Sequence, residues 1–161
     1  FCKLSLTTGA RMEAILSLKK NDIDLQTDII RLMDLKNGGE IYSGYITNTT
    51  KDLLANSIKK LGFNDHIISF NEDGQKITGR QLQRRLKPLL DELFNKGLDT
   101  KDRKNRIVIH SLRHTFASQL ALSNIPIRQI QELLNHSDIS QTVRYAKLQD
   151  EANKKAIQSV F

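Results

Sequence analysis

The chain has 161 residues, 39% of them hydrophobic and 27% charged, which suits one globular domain large enough for a real core. Excluded within this sequence are a bilayer span, since no apolar run approaches about 18 residues, and an internal disulfide, since Cys2 is the only cysteine; no signal peptide is expected, since Phe1-Cys2-Lys3-Leu4-Ser5 lacks a basic start before an apolar stretch. The balance of 25 Lys and Arg against 18 Asp and Glu leaves a net charge of +7, which fits a polyanionic partner such as nucleic acid without proving one.

In chain order, residues 7–19 read as a helix, with Thr7 or Thr8 as cap and Ile15, Leu16 and Leu18 in its apolar stripe. Asp22 to Leu25 suits a short strand. Residues 28–45 read as a hairpin: one strand holds Ile29, Ile30, Leu32, Met33 and Leu35, Asn37-Gly38-Gly39 turns, and the second strand returns from Ile41. Residues 50–61 suit a helix with Leu53, Leu54, Ile58 and Leu61 on one face and Gly62 as its stop. A short apolar run at 66–70 precedes a polar turn at Asn71-Glu72-Asp73-Gly74. Thr78 is expected to cap a helix reaching about Lys96, with Leu82, Leu86, Leu89, Leu90, Leu93 and Phe94 facing the core and a kink at Pro88. After a charged loop from Gly97 to Arg106, Ser111 is expected to cap a helix over 112–123. Helices over 127–134 and 138–146 follow, and an amphipathic segment runs over 149–160. The sum is an α+β domain, mainly helical, with a small antiparallel three-stranded sheet. Residues 1–161 read as a single domain and, since the chain lacks an initiator Met, as a fragment expected to be the C-terminal part of a longer protein.

Four places carry groups suited to phosphate chemistry. Arg11, expected in the first turn of a helix, can fork onto a phosphate. Lys36 at the hairpin tip can reach a groove or deliver a proton. His110 and Arg113, three apart, can serve one site from a helix start, the arginine holding an oxygen and the histidine moving a proton near neutral pH. His136 stands nine positions before Tyr145, a phenol that needs help to act as a nucleophile. Each has a bland reading: a solvated helix arginine, a solubilising turn lysine, a packing tyrosine. His114 reads as a hydrogen-bonded, half-buried histidine. The spacing of His110 and His114 invites a metal, but no Cys or acidic cluster stands beside it.

Together these residues resemble a known family. HSLRHTFASQLA followed by LLNHSDISQTVRYAKL is similar to the C-terminal signature of the tyrosine recombinases and phage integrases, with 23 positions from Arg113 to His136 and nine more to Tyr145. TTGARMEAILSLKKNDID resembles the segment of that family's first arginine, and Lys36 falls where its hairpin lysine does. Two positions depart from the pattern: Ala14 stands where members often carry an acid, so that Glu13 receives no catalytic role, and Asn135 replaces a usual glycine.

The resemblance implies the tyrosine recombinase catalytic-domain fold and a site-specific recombinase whose Tyr145 forms a 3′-phosphotyrosyl bond to DNA. Arg11 and Arg113 would neutralise the transition state and His136 would bond the phosphate. His110 would act on the Tyr145 proton and Lys36 would protonate the leaving 5′ oxygen. No cofactor or metal is implied. Thr78, Arg80, Arg84 and Arg85 are candidate contacts to the DNA backbone. Double-stranded DNA is the expected partner, with a homo-tetramer on DNA, a monomer in solution, a cytoplasmic location, and a C-terminal tail that docks on a neighbouring protomer. A catalytically silent DNA-binding regulator and a type IB topoisomerase are the alternatives. The full set of chemical groups weighs against the first, and the short interval between Arg113 and Tyr145 against the second.

Overall fold

Gly9 divides the first helical stretch in two. In the computed structural model, which describes residues 1–70 and 73–160, helix α1 spans Cys2–Thr8 and helix α2 spans Met12–Leu16. Gly9 is left-handed, with φ 63°, and a Cβ there would collide with the Phe116 ring and approach Leu134 Cδ2 to 2.9 Å. The single helix expected over 7–19 is therefore broken, and Arg11 stands not inside a first turn but at the N-cap of α2, with extended backbone.

Strands β1 (Ile23–Asp24), β2 (Ile29–Asp34) and β3 (Glu40–Tyr45) form an antiparallel sheet in that order, with β2 and β3 joined through a 3-10 turn at Leu35–Asn37. The register pairs Leu32 with Tyr42 and Asp34 with Glu40. Alternation along β2 buries Ile30, Leu32 and also Asp34. This face packs with Leu4, Ala14, Ile15, Leu18 and Leu54 into the larger core.

Helix α3 (Asn48–Ile58) ends four residues before Gly62, and Leu53 is exposed where Leu54 is buried. Helix α4 (Gly79–Phe94) has the expected start: Thr78 Oγ1 accepts from the Gln81 N–H, and the Thr78 N–H donates to Gln81 Oε1 at 2.8 Å, a capping box worth about 1 kcal/mol. It continues through Pro88 without a break. Its buried stripe is narrower than expected. Leu82 and Leu90 are buried and Leu86 half-buried, while Leu89, Leu93 and Phe94 are exposed, because only positions four apart meet the body of the protein. Within the polar turn expected after Phe70, Asn71 and Glu72 lie outside the described residues.

Helix α5 (Ile109–Leu122) begins three residues earlier than Ser111 suggests. Val108 is the N-cap, and Ser111 serves from inside the first turn, its hydroxyl accepting the Val108 N–H at 3.0 Å. Helices α6 (Ile127–Leu133), α7 (Ser140–Val143) and α8 (Ala146–Val160) complete the chain. The helix expected over 138–146 is shorter, which leaves Tyr145 in the turn between α7 and α8. Ala117, Ala121, Ile130, Leu134 and the Tyr145 ring form a second core. Helix α8 starts earlier than expected and packs on α5, with Leu148 against the second core, while Ile157 is exposed. No helix among the described residues is long and apolar enough to cross a membrane.

Candidate functional site

Helix α1 packs on α5, and the Gly9 corner meets Arg113 and Phe116 of that helix. Arg113, only 3% exposed, spans that junction: Nη1 donates to the Gly9 carbonyl at 2.5 Å and Nη2 to the Leu134 carbonyl at 2.7 Å. Both partners are neutral. Burial pushes the guanidinium down to about 10, with the Arg11 charge acting the same way, so Arg113 stays cationic at neutral pH.

Arg11 is held differently. Nη1 pairs with the buried Asp34 carboxylate and lies 3.4 Å from the Asn135 carbonyl. Asp34 Oδ2 also accepts from Asn135 Nδ2 at 3.1 Å, and Oδ1 from the Lys36 N–H at 3.1 Å. One carboxylate thus ties the hairpin tip, the α2 N-cap and the turn before His136 together. Asn135 has φ 49°, the left-handed conformation its short amide side chain tolerates in place of glycine.

His136 follows that turn, its Nδ1 bonded to the buried Thr142 hydroxyl at 2.8 Å, which leaves Nε2 for another partner. Loss of water, then the charges of Arg113, Arg11 and Arg144, lower its pKa to about 4. His110, on the first turn of α5, is likewise lowered to about 4, by partial burial first and then by His114, Arg113 and Arg11. Both imidazoles are neutral at pH 7 and sit in a field of cations.

The Tyr145 hydroxyl is bonded to His114, not to His110 as expected: His114 Nδ1 and Tyr145 Oη are 2.6 Å apart. His110 instead meets the His114 ring edge-on, with centroids 4.7 Å apart and planes at 87°. Burial raises the Tyr145 phenol, against the opposing pull of Arg144 and Arg113.

Arg11, His110, Arg113 and His136 are therefore electrostatically coupled neighbours around the segment that carries Tyr145. The Lys36 side chain is exposed on the hairpin, joined to this group through its backbone and Asp34. The candidate DNA contacts on α4 do not form one patch. Arg80 and Arg84 share an exposed face with Lys87. Arg85 turns away, its guanidinium 3.8 Å from the Phe70 ring centroid. Thr78 is engaged in capping. Sequence reasoning passed over Asp34 and Thr142 and gave His114 no role. A signal for Asp34 was present, since an acid in phase with Ile30 and Leu32 on β2 has to be buried and partnered.

A buried guanidinium on neutral carbonyls, a second arginine and two neutral imidazoles are groups whose chemistry suits a phosphoryl oxygen, and beside them a phenol is hydrogen-bonded to an imidazole. Residues 1–152 match the model of the phage integrase family, and the chain belongs to that family. It is 34% identical over 146 residues to the tyrosine recombinase XerA of Saccharolobus solfataricus, a match covering 91% of this chain and 44% of that protein. It is 29% identical over 153 residues to a probable integrase/recombinase protein of Methanocaldococcus jannaschii, covering 93% and 45%. The chain spans about half the length of the curated relatives it matches. Its fold is that of a XerA recombinase crystal structure (TM-score 0.71, 24% identity, 97% of this chain and 55% of that one). It is also that of the catalytic domain of bacteriophage HP1 integrase (TM-score 0.63, 20% identity, 98% and 78%).

Proposed function

We propose that this chain is the catalytic domain of a site-specific DNA recombinase that cuts one strand with Tyr145 and rejoins it to another. The observation that carries the reading is the group of Arg11, His110, Arg113 and His136, from three separate parts of the chain, around the segment bearing Tyr145. Tyr145 Oη attacks the scissile phosphorus, the 3′-phosphotyrosyl bond forms, and the 5′ oxygen leaves with a proton from Lys36. Arg113 and Arg11 hold the non-bridging oxygens, and His136 Nε2 adds a hydrogen bond. The bond energy is conserved in the phosphotyrosine, so a second 5′-hydroxyl can reverse the step on a new strand.

Duplex DNA is the partner in this reading. Arg80 and Arg84 touch its backbone beside the site, and copies of the protein assemble on it as a tetramer, with the part of α8 around the exposed Ile157 reaching a neighbouring copy. A nicked suicide duplex carrying the recombination site tests the reading. The full-length protein should yield a covalent protein–DNA band that Tyr145→Phe abolishes. A band that persists in Tyr145→Phe, or wild-type protein that never forms one, overturns it.

A further inference from the structure

We propose that His114 is the residue that takes the proton from the Tyr145 nucleophile. The proposal rests on the recombinase reading above and adds a base to it. The argument begins with contact. His114 Nδ1 lies 2.6 Å from Tyr145 Oη, hydrogen-bond distance to the atom that would attack phosphorus. His114 sits one turn beyond His110 on α5, and the edge-on His110 ring restricts its orientation. The Tyr145 ring is fixed by the second core, so neither partner has to move far to keep the contact.

The protonation states suit the role. His114 is lowered below the ordinary histidine value, by burial first and then by Arg144 from the α7–α8 turn and Arg113 on α5. Its other close neighbours are His110, neutral at pH 7, and the Tyr145 phenol, which is raised and therefore protonated. A neutral imidazole against a protonated phenol makes one hydrogen bond at Nδ1: Oη–H donates, and the ring proton sits on Nε2.

During cleavage the Oη–H bond breaks and its proton passes to Nδ1, while Oη bonds to phosphorus. The P–O5′ bond breaks, and the departing oxygen takes a proton from Lys36. The imidazolium formed beside Arg113 and Arg144 is unfavourable, which favours return of the proton to Oη when a 5′-hydroxyl displaces the tyrosine. His110 is left free to bond the phosphate.

Single-turnover cleavage of the suicide duplex by the full-length protein separates the possibilities. His114→Ala should cut at least about 10²-fold more slowly with unchanged non-covalent DNA affinity. His114→Asn can accept the hydrogen bond but cannot hold the proton, and should be equally slow. The wild-type rate should rise with pH through an acidic limb below the usual histidine range, and that limb should vanish in His114→Ala. With sulfur in place of the bridging 5′ oxygen the leaving group needs no acid, so Lys36→Ala should recover and His114→Ala should not. In the wild-type domain, nitrogen NMR should report an unprotonated Nδ1 on His114. A wild-type rate in His114→Ala, recovery in His114→Asn, rescue by the sulfur substrate or a protonated Nδ1 would each overturn the assignment. The recombinase reading survives all four as long as the Tyr145-dependent band forms. Without that band, both fall.

Discussion

Arg11 and Arg113 lie far apart in the chain and are held by opposite means. Arg113, at the start of α5, is locked by the carbonyls of Gly9 and Leu134, which orient it without cancelling its charge. Arg11, at the α1–α2 corner, is oriented by the Asp34 carboxylate, which partly neutralises it. A buried cation on neutral acceptors is costly until an anion arrives. An ion-paired one is cheaper to hold and offers less to the ligand. The region around α5 therefore supplies charge, and the hairpin region supplies placement.

The largest test of this contrast is Arg113→Lys. An ammonium cannot fork across two carbonyls, so one of them loses its donor. Cleavage should fall by about 10²–10³-fold, the cost of removing one preorganised transition-state contact, and the melting temperature should fall with it. Equal cleavage by Arg113→Lys would mean that charge alone matters there and would break the comparison.

Asp34→Asn should have a smaller effect. The amide keeps the shape but loses the charge-assisted bond to Arg11, worth about 1.5 kcal/mol, so single-turnover cleavage should slow by about tenfold. Amide exchange at the hairpin tip should quicken as well, because the same carboxylate receives the Lys36 N–H. If cleavage is unchanged, the Asn135 carbonyl suffices to place Arg11.

The smallest effect concerns pH. His110 and His136 titrate near 4 in the folded domain against about 6.5 when unfolded, so between these values the unfolded state binds more protons. Stability without DNA should rise with pH across that window and fall as the pH drops toward 4, as thermal melts would record. A bound phosphate raises both imidazoles, so DNA binding should take up protons and tighten modestly as the pH falls from 7 to 6. Proton release on binding would show that the charge around Arg113 is already compensated.

Much of the architecture was legible in the chain. The hairpin followed from Asn37-Gly38-Gly39 between apolar runs, and the α4 start from Thr78 and Gln81, because turns and caps are local chemistry. The α4 face was overread: Leu89, Leu93 and Phe94 are apolar, yet what the helix buries is set by what lies against it. The break at Gly9 was missed because a lone glycine in a helical pattern is tolerated unless its neighbours forbid a side chain, and Phe116 lies more than a hundred residues away in sequence.

For the site, the sequence motifs around Arg11, His110, Arg113, His136 and Tyr145, through their resemblance to a known family, singled out the groups to consider, since short-range motifs survive in a linear reading. The pairings were decided by tertiary structure alone. Arg11 finds its carboxylate in Asp34, which only folding brings from the hairpin. His114 and Tyr145 stand 31 positions apart and meet only because α5 packs against the α7–α8 turn. A hydrogen bond is decided within a few tenths of an ångström, and no pattern of residue types carries distance at that resolution.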